Sequence, residues 1–172
     1  MIEVRQLQPD DLAQVVEINV SETGAQWYKN IDGHLQVFAK EWQRPAWDAQ
    51  QWPVKLAQWA KKLKPDLHLG AFVDARMVGI AGLRYQLTPT MAQLTSLYID
   101  RDHRHQGVAS QLVREVFRLG QASGAQSIYV SSKPSIPAVG FYTRQGFRLT
   151  AEPHPDLFAL EPQDIHMVKP FS

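Results

Sequence analysis

The chain has no cysteine. Disulfides, thiolate metal sites and a cysteine nucleophile are therefore excluded, and the absence agrees with a reducing compartment. It has no excess of charge, since 18 Lys and Arg stand against 17 Asp and Glu. The basic face or stripe of a nucleic-acid binder is not implied. No apolar run reaches the length of a membrane span. The opening MIEVRQLQPDDL lacks the basic start and apolar stretch of a secretory leader. Neither G-x-x-x-x-G-K-[ST] nor G-x-G-x-x-G is present, so the common phosphate loops are missing. Without G-x-S-x-G there is no serine-hydrolase elbow. No repeat, low-complexity segment or linker divides the chain. The expectation is one soluble cytoplasmic domain over residues 1–172, with no membrane or nucleic-acid partner.

What is present is a clear succession of patterns. Ile2 to Leu7 alternates apolar and polar residues and reads as a strand. Asp10 or Asp11 can cap a helix carrying Leu12, Val15, Val16 and Val20. Leu35, Phe38, Ala39 and Trp42 have helical spacing, and Pro53 starts a further helix with Leu56, Trp59, Ala60 and Leu63, ended by Pro65. LHLGAFVDA and MVGIAGLRYQ then read as a hairpin, and MAQLTSLYID as a third strand. Leu112, Val113, Val116, Phe117 and Gly120 mark a helix stopped by Gly124. SIYVSS is a strand, and SIPAVGFYTRQG a helix capped by Ser135 with Pro137 in its first turn. FRLT and DIHMVKPF close the chain as strands. Hairpins mixed with helical crossovers imply a mixed sheet and an α/β or α+β fold.

The turn Asp100–Gln106 joins an apolar strand to a helix beginning Gly107, Val108, Ala109. A helix N-terminus carries partial positive charge and unpaired N–H groups, and so suits a phosphate. Gly107 would let main-chain N–H groups approach a bulky anion, and Arg104 adds a fork of donors. On these grounds the turn can be a diphosphate cradle or an ordinary polar turn.

RHQGVA, Arg104 to Ala109, fits [QR]-x-x-G-x-[GA] and so resembles the acetyl-CoA-binding signature of the GNAT N-acyltransferases. The likeness continues through LYIDRDHRHQGVASQLV to AVGFYTRQGF and is specific from Leu67 to Leu149. It implies a mixed, mostly antiparallel sheet of six to seven strands flanked by four or five helices. The acetyl-CoA core would span about 67–149, and a variable acceptor-side segment about 21–65. It also implies that His105, Gln106, Gly107, Val108, Ala109 and Ser110 surround the CoA pyrophosphate, with Arg104 beginning the loop. Leu97, Tyr98 and Ile99 would lie along pantetheine. That strand would splay from the one beginning at Ser127, opened by a bulge that the sequence does not reveal.

The reaction implied is attack of a neutral primary amine on the acetyl thioester. Typical alkylammonium groups have a pKa of about 10.4, so a proton must leave. The Leu97 and Tyr98 N–H groups are candidates for the oxyanion, and Tyr142, matching the family's F-Y tyrosine, for the acid that protonates the thiolate. Read without the resemblance, Tyr142 is a half-buried helix aromatic. No carboxylate falls between Met91 and Ile99, where some members place a glutamate. Gln93 lies there instead, and no base is assigned. A water chain, Glu22 or capture of the minor neutral amine all remain open. Ser135 stands where the family often has a CoA-contacting asparagine.

All five tryptophans lie between Trp27 and Trp59. Trp42 and Trp59 sit on the expected helical stripes and read as core. Trp27, Tyr28 and Trp47 lie off them and are candidates to hold the acceptor by burial or cation–π contact. His103 and His105 flank Arg104 without a third ligand, so no metal is expected. The leading reading is an acetyl-CoA-dependent N-acetyltransferase acting on a small metabolite, an antibiotic or a protein amine. Its rivals are a CoA-binding module without turnover and a homodimeric interaction module using the tryptophan-rich face.

Overall fold

The computed structural model describes residues 1–172. It opens with strand β1 (Glu3–Gln6), a 3-10 segment Pro9–Glu17, and a long hairpin of β2 (Glu22–Ile31) and β3 (His34–Arg44). Helix α1 (Gln51–Lys62) leads to β4 (Leu67–Val73), β5 (Arg76–Thr88) and β6 (Met91–Ile99). Then come α2 (Val108–Ala122), β7 (Ser127–Ser132), α3 (Ile136–Arg144), β8 (Arg148–Leu149), α4 (Pro155–Leu160) and β9 (Ile165–Pro170). Seven strands form one sheet in the order β1-β4-β5-β6-β7-β9-β8, while β2 and β3 pair only with each other. Every pairing in the large sheet is antiparallel except β6 with β7. The expected mixed, mostly antiparallel sheet is thus observed.

The period-two alternation of β5 divides the molecule into layers. A Cβ at Gly79 would touch Leu112 and Val108 of α2, whereas Ile80 packs with Trp52, Ile18 and Val20 on the opposite face. Helices α2 and α3 cover the first face through Val108, Leu112, Val113, Val116, Val139 and Tyr142. The four α2 residues are each at most 1% exposed, and each such burial contributes about 1.5–3 kcal/mol as an upper figure. The 3-10 segment and α1 cover the second face, and Leu157 of α4 joins Leu87 and Tyr129.

Four sequence expectations change. Leu35, Phe38, Ala39 and Trp42 lie on β3 rather than on a helix. A shift in hairpin register, Gly24 opposite Trp42 but Gln26 opposite Ala39, resets the strand's alternation. Both faces of the strand are partly covered, so the half-buried positions Leu35, Phe38 and Trp42 fall three and four apart, which imitates a helix. The stretch after β1 is a 3-10 helix, whose three-residue turn buries Val15. Gln8 is its N-cap, with Asp11 accepting the Gln8 N–H at 2.7 Å. Helix α1 starts at Gln51, two residues before Pro53, because Asp48 Oδ1 accepts both Gln50 and Gln51 N–H at 2.9 Å. Helix α4, begun by Pro155, lies in a stretch with no expected element.

Candidate active site

The site follows from a failure of strand pairing. β6 and β7 pair at only three positions, Met91↔Ser127, Ala92↔Ile128 and Gln93↔Tyr129. β7 continues to Ser132 paired with β9, so beyond Gln93 the edge of β6 facing β7 has no strand partner. The register between β5 and β6 jumps at the same point. Gly82 faces Ser96 and Leu83 faces Leu94, leaving Thr95 as the extra residue of a bulge. A bulge bends its strand and ends regular pairing. A Cβ at Gly82 would collide with Thr95 Oγ1, so the bulge requires glycine opposite it.

At the end of β6, Asp100 holds the following turn. Its Oδ1 accepts the Asn19 N–H at 2.7 Å and its Oδ2 lies 2.8 Å from His103 Nδ1. Burial opposes its charge, but these bonds and Arg76 win and keep its pKa below the ordinary carboxylate value. His105 and Gly107 then take left-handed backbone, with φ of +61° and +88°. Nothing lies within 4 Å of where a Gly107 side chain would start. The first helical bond of α2 runs from Gln111 N–H to the Gly107 carbonyl at 3.0 Å. The N–H groups of Val108, Ala109 and Ser110 therefore have no acceptor within the helix. Val108 is anchored in the core, which holds this terminus in place against the sheet.

Side chains around the loop are more committed than the sequence suggests. Arg104 donates from Nη1 to the Ser21 carbonyl at 2.9 Å and from Nε to that of Ile99 at 3.3 Å. It fastens the loop to the segment before β2. Gln106 Nε2 donates to the Asp102 carbonyl, and the Ser110 hydroxyl accepts from Gln145 Nε2 at 3.2 Å. The loop offers an anion its main chain first.

Leu97 and Ile99 face the α2 side. Tyr98 faces the other way, stacked on Trp59 with planes 8° apart and centroids at 5.4 Å. Tyr142, on α3, is 8% exposed and packs edge-on against Phe141 and Phe147. Burial, then Tyr98 and Asp164, push its pKa far above the ordinary phenol value, so it holds its proton at neutral pH. Ser135 is 1% exposed and caps α3 by accepting the Ala138 N–H at 3.3 Å. It is also bridged by Trp27 of the hairpin, and Tyr28 N–H donates to the Pro134 carbonyl at 2.7 Å. Its hydroxyl thus serves the fold under the hairpin, not an open CoA surface.

The three aromatic acceptor candidates are not together. Trp27 and Tyr28 line a cavity of ≈ 450 Å³ between the hairpin and the start of β9. Trp47 lies in a core cluster, T-shaped against Trp52 at 5.0 Å, and only its edge joins Trp59 and Tyr98 in a second cavity of ≈ 280 Å³. Trp42 sits on β3 against Trp27, not in a helical core.

One carboxylate escaped sequence reasoning. Asp164 lines both cavities, and the smaller one also contains Gln93, Thr95 and Ser131. Ser131 Oγ donates to Asp164 Oδ2 at 2.8 Å. Burial raises the Asp164 pKa to about 6, with Glu161 adding to the rise and Ser131 and Lys133 opposing it. Just before a short closing strand, with no motif around it, it had no sequence signal. Glu22, by contrast, pairs with Arg44 at 3.2 Å.

The model of the Acetyltransferase (GNAT) family matches residues 27–147. Human N-acetyltransferase 8 is 29% identical over 84 residues, 46% of this chain and 37% of that protein. The match thus spans little more than a third of that relative's length. Among solved structures, a nourseothricin acetyltransferase superposes with a TM-score of 0.77 at 18% identity over 99% of both chains. A Bacillus anthracis protein described as a streptothricin acetyltransferase, solved with acetyl coenzyme A, gives 0.75 at 14% identity over 100% of this chain and 99% of that one. At these identities the likeness is one of fold.

Proposed function

The chain belongs to the GNAT acetyltransferase family, and we propose that it moves acetyl from acetyl-CoA to a primary amine by direct attack in a ternary complex. One observation carries this reading: the unpaired edge of β6 beyond its bulge is followed, after a short 3-10 turn at Arg101–His103, by the open, left-handed Gly107 turn. An extended chain can add to such an edge by main-chain hydrogen bonds, and the free N–H groups at the head of α2 suit its diphosphate. The acetyl thioester carbonyl then lies by the Leu97–Tyr98 main chain, where the N–H that points away from β5 stabilises the developing oxyanion.

Tyr142 is the acid in this reading. The amine nitrogen forms the new bond to the carbonyl carbon, the C–S bond breaks, and the departing sulfur takes the phenol proton. The phenolate recovers a proton from the newly acylated nitrogen. Burial keeps the phenol protonated until needed, and a positioned acid contributes roughly 10²–10⁴ in rate. The acceptor is a primary amine on a small metabolite, an antibiotic or a protein.

Acetyl-CoA is expected to raise the melting temperature by mass action on the folded state. Thiol release from acetyl-CoA is then measured with L-lysine, spermidine, nourseothricin and an alanine-started peptide. A thermal shift with thiol release for at least one amine supports transfer. A shift without release from any amine leaves a binding module, and no shift removes the reading altogether.

A further inference from the structure

We infer that Asp164 is the catalytic base and that it seats the acceptor amine together with the amide oxygen of Gln93. The inference rests on the transferase reading above. It begins from atoms left without partners. Gln93 is 1% exposed, and its Oε1 has no hydrogen-bond partner. Thr95, half-buried at the bulge, likewise has a buried Oγ1 without a partner. Both residues line the ≈ 280 Å³ cavity, on the face of the sheet opposite α2. A buried acceptor without a donor is costly unless a ligand supplies one. An amine is all donors when charged, and it fits acceptors of this kind.

Asp164 completes the seat. It comes from the loop between α4 and β9, on the far side of the β6–β7 opening, and is fixed by Ser131 Oγ. Gln93 is the last β6 residue paired with β7, so it stands at the vertex of the opening. The aromatic wall of Trp47, Trp59 and Tyr98 closes the cavity on the α1 side. It gives the amine's alkyl chain an apolar surface to lie against.

Other bases are poorly placed. Glu161 lines the same cavity but is exposed, and Glu22 is occupied by Arg44. His68 has a buried Nε2 without a partner but does not line the cavity. The charged and titratable groups facing Asp164 are few on each element. Glu161 precedes it, Tyr129 and Lys133 lie on and just after β7, and Tyr98 and Tyr142 approach from β6 and α3. Lys55 and Lys62 of α1 lie around the smaller cavity, and Lys29, Lys40 and His166 around the larger.

The proton balance closes. The ammonium gives one proton to the Asp164 carboxylate and becomes the neutral nucleophile. After attack, Tyr142 protonates the leaving sulfur and recovers a proton from the nitrogen. Asp164 releases its proton to solvent, so the products are the amide, CoA thiol and one proton. The raised Asp164 pKa makes it a better base than an exposed carboxylate, yet it is ionised at neutral pH.

The test is the pH dependence of kcat/KM for the best amine of the panel, in wild type, Asp164→Asn and Gln93→Leu. In the wild type the rate is expected to rise through pH about 6 and then level. In Asp164→Asn only free neutral amine reacts, so the rate at pH 7 falls about 100-fold or more and keeps climbing toward the amine's own pKa. Gln93→Leu should raise KM about tenfold and keep the wild-type break. Acetyl-CoA thermal shifts unchanged in both variants show that folding and coenzyme binding persist. An Asp164→Asn rate within threefold of wild type, or an unaltered profile, overturns the inference. If the wild type turns over no amine, the transferase reading fails instead. The amine seat is then judged by calorimetry with spermidine, where equal affinity in wild type and Asp164→Asn overturns it.

Discussion

The Tyr129 hydroxyl lies 2.6 Å from Nδ1 of His166, and the two side chains join β7 to β9 inside the molecule. His166 Nε2 faces the Glu161 carbonyl at 2.9 Å, and the Tyr129 oxygen accepts the His154 N–H at 3.1 Å. Burial lowers the His166 pKa, so the imidazole is neutral, accepting from Tyr129 and donating to Glu161. The chain on both sides of α4 is thereby fixed, and Asp164 with it.

Replacing Tyr129 by Phe removes the central member of this network. The His154 N–H and His166 Nδ1 lose their partner, at a cost of about 1–3 kcal/mol. Thermal unfolding should show the loss, and turnover should fall because the loop carrying Asp164 loosens. An unchanged melting temperature would mean that water replaces the phenol at no cost.

Gly107→Val places a β-branched residue at φ +88°, which costs about 1–3 kcal/mol. No protein atom would be struck, so the fold should survive. The acetyl-CoA thermal shift should disappear, since the main chain must move to relieve the strain. Retention of the full shift would show that the coenzyme does not depend on this turn.

Tyr142→Phe keeps the ring contacts with Phe141 and Phe147 and removes only the hydroxyl. Acetyl-CoA binding is expected to persist while kcat falls roughly 10²-fold or more. Equal kcat would remove the acid role and leave Tyr142 as core.

Arg104→Lys keeps the charge but not the fork that reaches the Ser21 and Ile99 carbonyls. A loss of about 1–2 kcal/mol in unfolding free energy is expected. Unaltered stability would show that the tether carries no weight.

Asp164 also makes stability depend on pH. Its pKa is raised from 3.8 to about 6 on folding, so the folded state binds the proton more tightly than the unfolded chain. The stabilisation is complete below pH 3.8 and is lost as pH rises through about 6. Above that the ionised group costs the fold at most about 3 kcal/mol, less with water in the cavity. Asp164→Asn should therefore unfold at higher temperature than wild type at pH 8, with the gain shrinking as the pH is lowered to 4. A variant destabilised at pH 8 would contradict the buried-charge account.

The elements that carry the family's coenzyme motifs were legible because their signals are local. The α2 stripe Leu112, Val113, Val116 and Gly120 is buried as its spacing implies. Gly124 ends the helix region with φ +97°, and Ser135 caps α3. Where the signal depended on what covers a residue, it misled. β3 presents both faces partly to solvent and changes register midway, so its apolar residues follow neither clean period. Trp47 looked free because it lies on no stripe, yet Trp52 and Trp59 converge on it from α1. Arg104 was in the expected place, but its partners are at Ser21 and Ile99, far away and adjacent in turn.

By itself the sequence determined the strand–turn–helix around Gly107, the helix bearing Tyr142 and the apolar runs that become β4 to β7. These rest on short-range sterics, caps and periodicity, which are written within a few residues. Tertiary structure decided the Thr95 bulge, the end of β6–β7 pairing at Gln93, and the meeting of Asp164 with Ser131 across 33 residues of chain. Those are consequences of how strands from distant segments fit together, and no local pattern encodes which carboxylate closes the gap.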